Sequence, residues 1–240
     1  MMGHQLKGTL YYLYANVRFP LTVFWVIISS ILALSIISSY LMSEGTISFQ
    51  LSFSLYIFSA IIGTWTVKSA IPYTLKLGST RKNLYVSLGI YFLGFAIVNS
   101  LLANVLNGLV STIFGIESLG GMGEITTANG TETFTFFHIA QFIEGNSWFT
   151  YIMIDIVICF FLLIVAYIIG LFFYKYGLIG GFGLLGVAMF TIIFTAAKGW
   201  LPEFFITIFS DFSIVFFYQL FVVALIIYMV TFILIRRITI

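Results

Sequence analysis

Residues 156–174 read IVICFFLLIVAYIIGLFFY, nineteen positions without a charge, directly after Asp155. A helix rises 1.5 Å per residue, so this run is about 28 Å long, close to the roughly 30 Å hydrocarbon core of a bilayer. Extended back to Trp148, it defines a span near 148–174. Five further runs have the same character, near 21–41, 51–71, 84–113, 177–197 and 213–235. The expected fold is therefore an all-α integral membrane protein, a single domain over 1–240 with six transmembrane helices.

Composition agrees. The chain is 61% hydrophobic and 8% charged, where a soluble domain carries roughly 25% charged residues. Too few charges exist to cover a water-facing surface, but a lipid-facing surface needs almost none. The net charge of +2, with no Lys/Arg tract interleaved with aromatics, argues against a nucleic-acid partner. The one cysteine, Cys159, lies inside an apolar run, which excludes a disulfide within the chain and disfavours a Cys-based metal site. The stretch 1–20 holds Lys7, Asn16 and Arg18 and lacks the apolar core of a leader peptide. The first span is thus expected to remain in the mature protein.

Charge placement gives an orientation. With the N-terminus in the cytoplasm, Lys7, Arg18, Lys68, Lys76, Arg81, Lys82, Lys175, Arg236 and Arg237 fall inside, and only Lys198 falls outside. Glu44, Glu117, Glu124, Glu132, Glu144, Glu203 and Asp211 also fall outside. Basic residues concentrate on the cytoplasmic side of membrane proteins, so both termini are expected there, in a cell membrane. An odd number of spans would break the pattern.

Three connections stand out. From His4 to Arg18, Leu6, Leu10, Leu13 and Val17 recur at helical spacing, which predicts a short amphipathic helix in the inner interface. Pro20 is expected to mark a turn into the first span. In the inner loop from Ile71 to Leu84, Pro72 can open a short helix, Gly78 can close it, and Ser79 or Thr80 can cap the next. The outer segment 115–147 has four Glu and no Lys or Arg. It begins Gly-rich, at Gly120, Gly121 and Gly123. It continues through Phe134, Phe136, Phe137, Ile139, Phe142 and Ile143, too short to span, and is expected on the outer interface or over the helix ends.

Few residues invite chemistry. No His-Glu-x-x-His zinc motif and no phosphate-binding Walker loop occur. The two histidines, His4 and His138, fall on opposite sides in this topology. No catalytic, metal or cofactor site is expected in the chain, and any ATP-driven activity requires another chain to supply the ATPase. Asp155 is the one acidic residue well inside a span, where a charged carboxylate costs on the order of 3 kcal/mol. It reads either as a cavity-facing or gating residue or as a carboxylate reaching water or a neighbouring Tyr. In the third span Ser100, Asn104, Asn107 and Ser111 share one helix face, with Asn99 off it. That face should look inward, for interhelical hydrogen bonds or as a polar lining for a substrate path. Ser59, Gly63, Thr66 and Ala70 form a small-residue face that permits close packing. Gly177, Gly180, Gly181, Gly183 and Gly186 suggest packing or a kink at the start of the fifth span.

The combination resembles the permease subunits of ABC-2 type transporters. The sharpest local match is Leu77-Gly78-Ser79-Thr80-Arg81-Lys82-Asn83, similar to the Gly-x-[Ser/Thr]-Arg-Lys stretch before the third span of bacterial members. The terminal Ile235-Arg236-Arg237 also looks like their ends. The resemblance implies a coupling loop, here Pro72, Lys76, Gly78, Ser79, Thr80, Arg81 and Lys82. That loop would rest on a separate nucleotide-binding subunit, which holds ATP and Mg. It also implies a second permease subunit, identical or different, and a short outer re-entrant element at Lys198–Phe212. Among Gram-positive members the chain looks most like permeases for peptide antibiotics or amphipathic peptides such as phenol-soluble modulins. The path would then take an amphipathic or lipid-like substrate, in contact with membrane lipids. Asp155, Ser100, Asn104, Asn107 and Ser111 would be its candidate lining. Two other readings stay open: a substrate-capturing membrane subunit of an importer, and an intramembrane enzyme.

Overall fold

The computed structural model describes residues 2–41, 45–113, 122–127, 130–136, 138, 139, 143, 147–210 and 213–236. In chain order these form α1 (Met2–Leu41), β1 (Gly45–Phe49), α2 (Leu51–Lys76), α3 (Arg81–Ile113), β2 (Met122–Thr127), β3 (Gly130–Phe136), α4 (Trp148–Ala197), α5 (Trp200–Ser210) and α6 (Ile214–Arg236). Five helices, α1, α2, α3, α4 and α6, are long and apolar enough to cross a membrane. Large apolar side chains cover the outside of the bundle, among them Phe19, Val187, Phe190 and Met229. Water would not tolerate such a surface and lipid would, so this is a multi-pass membrane protein.

Two helix boundaries differ from the sequence expectation. Pro20 does not end the first helix; α1 runs through it to Leu41. Its stripe is buried at Leu13 and Val17 against the bundle, and the Tyr12 ring stacks on Tyr73 of α2 at 4.1 Å. Next to the proline, the Asn16 side-chain amide donates to the Ser69 hydroxyl of α2 at 2.7 Å and holds the helix against its neighbour. Neighbouring groups of this kind let membrane helices carry proline without breaking. Pro72 likewise lies inside α2 and opens no separate helix. The 26 residues of α2 make it about 39 Å long, so its last turns already reach past a 30 Å apolar layer. The expected short inner helix is the end of α2 itself.

The turn after α2 is closed as the sequence suggests. Gly78 has φ 81°, in the left-handed region that favours glycine. The Gly78 amide donates to the Leu75 carbonyl and the Ser79 amide to the Thr74 carbonyl, both at 3.1 Å. This paired closure ends a helix sharply. Thr80 then caps α3, its hydroxyl accepting from the Asn83 amide at 3.3 Å.

The continuous span of α4 hides a reversal. Gly177 has φ 69° and ψ −168°, which breaks the helix. The Phe173 and Phe182 rings are 5.5 Å apart, whereas nine residues of unbroken helix would separate them by about 13 Å. A side chain at Gly181 would collide with Phe173, its Cβ falling 2.2 Å from the ring. The expected kink is therefore a fold-back, and positions 148–176 and 178–197 are separate helical arms.

α2 packs most extensively on the first arm of α4. Gly63 permits it: a Cβ there would lie 2.5 Å from the Leu163 carbonyl oxygen. Ser59, Thr66 and Ala70 on the same face are buried. Close approach through small residues is how membrane helices gain packing energy without a hydrophobic drive. α3 joins α6 through Tyr85 and Tyr228, whose rings stack at 4.5 Å and whose hydroxyls each donate to the other's backbone carbonyl.

The crossing elements are all helices, as expected, and three short strands lie in the connections between them. β2 and β3 pair antiparallel, and β1, from the α1–α2 connection, joins β3 in parallel, giving the order β1-β3-β2. Threonines and aromatics at alternating positions in 130–136 favour strand over helix once a neighbouring strand is present. Gly120, Gly121, Phe137, Phe142, Glu44, Glu117, Glu144, Asp211 and Arg237, singled out in the sequence, lie outside the described residues.

Candidate functional site

One group of buried polar residues lies toward the end of the bundle that carries the sheet and centres on Asp155. Asp155 sits two turns into α4, which begins at Trp148 under a Ser147 cap. Its side chain is 0% exposed. Oδ1 accepts from the Tyr56 hydroxyl of α2 at 2.5 Å. Oδ2 accepts from Asn104 Nδ2 of α3 at 2.7 Å. His138 Nε2 lies 3.1 Å from Oδ1. One carboxylate thus joins three other parts of the chain.

Each partner is placed by ordinary packing. Tyr56 lies on α2 one turn from Ser59, on the face that meets α4. Asn104 belongs to the α3 stripe, and its Nδ2 also donates back to the Ser100 carbonyl at 2.9 Å. The His138 ring packs edge-on against Tyr151 at 4.6 Å, one turn before Asp155 on the same helix. Donors aimed at a buried carboxylate offset the cost of removing it from water, each worth about 1.5–3 kcal/mol when the acceptor is charged.

The expected inward face of α3 is present. Ser100, Asn104, Asn107 and Ser111 are all buried. Of these, only Asn104 bonds Asp155; Ser111 turns back to the Gly108 carbonyl at 2.9 Å. The Asn104 and Asn107 amide oxygens have no hydrogen-bond partner among the described residues. Asn99, off the stripe, is also buried and accepts from the Trp25 indole of α1 at 3.0 Å.

Sequence reading missed two members of the cluster. Asp155 has an ionisable partner at its own depth, His138, which comes from the connection between α3 and α4. Tyr56 had no distinguishing signal among fourteen tyrosines. The histidine's only clue was its position in an apolar run otherwise too short to span.

At the opposite end lies the other expected site. Thr9 and Ser79 hydroxyls are 3.4 Å apart, and Asn83 Nδ2 donates to Gln5 Oε1 at 2.8 Å. Arg81 donates to the Arg236 carbonyl of α6. Pro72 and Lys76 fall on the last turns of α2, Gly78, Ser79 and Thr80 in the turn, and Arg81 and Lys82 on the first turn of α3. α5 supplies a short helix within the expected re-entrant stretch Lys198–Phe212. Among the described residues no cluster of three or more His, Cys, Asp or Glu could hold a metal ion.

No family model, curated protein or solved structure matches this chain.

Proposed function

We propose that this chain is the membrane subunit of an ATP-driven exporter, moving an amphipathic or hydrophobic substrate with energy from a separate ATPase subunit. The observation that carries the reading is the fastening of the α2–α3 turn. Thr9 and Gln5 tie it to α1, and Arg81 ties it to the end of α6. A force applied at Gly78–Lys82 is thereby delivered to four helices together. A chain without a phosphate loop can use ATP only through contact, and this turn offers a basic surface for that contact. The likeness of Leu77–Asn83 to the ABC-2 permease stretch supports the same reading.

In this reading the chain crosses six times. The fold-back at Gly177 supports that count, since each arm of α4 is then about 30 Å or longer. Lys7, Lys76, Arg81, Lys82 and Arg236 lie at the end of the bundle where α2 turns into α3, which supports placing that end and both termini in the cytoplasm. ATP and Mg belong to the ATPase, a second permease subunit completes the path, and the polar stripe of α3 with Asp155 lies along it.

The test is a double variant, Arg81→Gln with Lys82→Gln, co-expressed with the ATPase from its gene neighbourhood. Correct insertion is expected, with co-purification and substrate-stimulated ATP hydrolysis largely lost. Failure of any ATPase to co-purify with the wild-type chain overturns the reading. So does unchanged coupling both in the double variant and in a second variant with residues 72–77 replaced by Gly and Ser.

A further inference from the structure

The seam between α2 and the first arm of α4 widens into a groove toward the end that carries the α2–α3 turn. The two helices run in the same direction there, since Gly63 faces Leu163 and Ala166 while Gly170 faces Thr64 and Val67. A Cβ on Gly170 would lie 3.0 Å from the Val67 side chain, so the helices are packed about as closely as glycine allows. Over that contact, Val67 and Lys68 of α2 and Ile169, Phe173 and Tyr174 of α4 line a space of about 350 Å³. Lys68 and Tyr174 are exposed, so the groove opens to the outside of the bundle.

The groove is apolar along its walls and charged at one side. Val67, Ile169 and Phe173 offer only hydrocarbon, whereas Lys68 carries an ammonium. Lys68 lies eight residues before Lys76, the end of α2, which is about 12 Å along the axis. On α4 the same level is followed at once by Lys175 and Tyr176, the ammonium of Lys175 standing 4.8 Å from the Tyr176 ring just before the reversal at Gly177. Lys and Tyr gather where hydrocarbon meets headgroups, so the groove straddles that boundary. Among the described residues no acidic side chain pairs with Lys68. The stretch 45–116 contains neither Asp nor Glu, and Lys76, Arg81 and Lys82 lie at the same end of the bundle. An unpaired ammonium beside an apolar groove at this depth matches a molecule with an anionic head and an apolar tail.

We propose that this groove is a binding site for one anionic phospholipid from the leaflet at that end. An acyl chain lies along Val67, Ile169 and Phe173, and the phosphate meets the Lys68 ammonium and the Tyr174 hydroxyl. Bound in this way, the lipid bridges α2 and α4 and fills their seam where Gly170 leaves it shallow. The site does not depend on the exporter reading. A lysine that merely attracts anionic lipid would need no groove, and a second copy of this chain would cover the groove without lipid.

The test uses the full chain in detergent, given phosphatidylglycerol or phosphatidylcholine with the same acyl chains, with bound lipid counted by native mass spectrometry. One phosphatidylglycerol per chain is expected to saturate, retained about fivefold better than phosphatidylcholine, the worth of one basic residue at an anionic surface. Lys68→Gln should remove the preference, and Lys7→Gln, on another helix, should keep it. Thr64→Phe fills the groove from α2 and Ile169→Trp fills it from α4; either should lose the lipid with Lys68 intact. Size-exclusion profiles equal to the parent's show that each variant is folded, and the two filling variants serve as alternatives if one is not. Equal retention of the two lipids, an equal loss in Lys7→Gln, or retention that survives filling from both sides overturns the proposal. So does displacement of the lipid by inorganic phosphate, which would leave the acyl chain no part in binding. A lipid-free dimer in place of the lipid-bound chain assigns the groove to a second copy and overturns it as well.

Discussion

The two ends of the bundle are held by different physics. At the turn-bearing end, each contact pairs a buried group with one that solvent reaches: Asn83 with the exposed Gln5, and Thr9 with the half-buried Ser79. Water and headgroups compete for those partners, so each link contributes little. At the sheet-bearing end, Tyr56, Asn104 and His138 converge on a carboxylate that no solvent reaches. There the alternative to each bond is a bare polar group in a medium of low polarity, and its loss costs far more. The lesson is that a similar number of polar contacts makes one end adjustable and the other nearly all-or-none.

Three substitutions would sharpen or break this contrast. The largest effect is expected from Asp155→Lys, which places a positive charge beside His138 with no counter-charge among the described neighbours. The cost is on the order of 3–5 kcal/mol, enough to lose the folded monomer. Size-exclusion of the detergent-solubilised variant reads it; a normal monodisperse peak would show that Asp155 reaches water or headgroups. Next comes Tyr56→Phe, which removes one donor from the carboxylate without changing the packing. A loss of about 1.5–3 kcal/mol is expected, seen as a lowered thermal midpoint in the same detergent. A midpoint equal to the parent's would remove the tyrosine from the cluster's energetics. The smallest effect is expected from Gln5→Ala at the other end, about 0.5–1 kcal/mol, because Gln5 is exposed and its truncation opens the buried Asn83 amide to water. A loss as large as that of Tyr56→Phe would abolish the distinction between the two ends.

Much of the fold was legible from residue order alone, since it depends on neighbours three or four positions apart. The long apolar runs become the membrane-crossing helices, and Ser100, Asn104, Asn107 and Ser111 face inward because amides avoid lipid whatever the partner helix is. Gly78 and Thr80 end one helix and begin the next through bonds that span only a few residues. Pro20 and Pro72 misled because packing carries each helix past its proline: α1 rests on α2 and α3 through Tyr12, Asn16 and Trp25, and Ile71 and Thr74 beside Pro72 are buried in the bundle. The strands were not legible, because β1 pairs with a strand more than eighty positions away in the chain.

What the sequence by itself determined is the class of protein, the placement of its apolar runs, and the existence of one carboxylate that had to find partners inside a membrane. Only the tertiary structure decided who those partners are. Tyr56, Asn104 and His138 are separated from Asp155 by 99, 51 and 17 residues. No periodicity relates positions so far apart; they meet because Gly63 lets α2 lie close on α4 and because His138, with Ile139 and Ile143, packs into the bundle. The same close packing that brings the donors in keeps water out, and the exclusion of water gives those few bonds their weight.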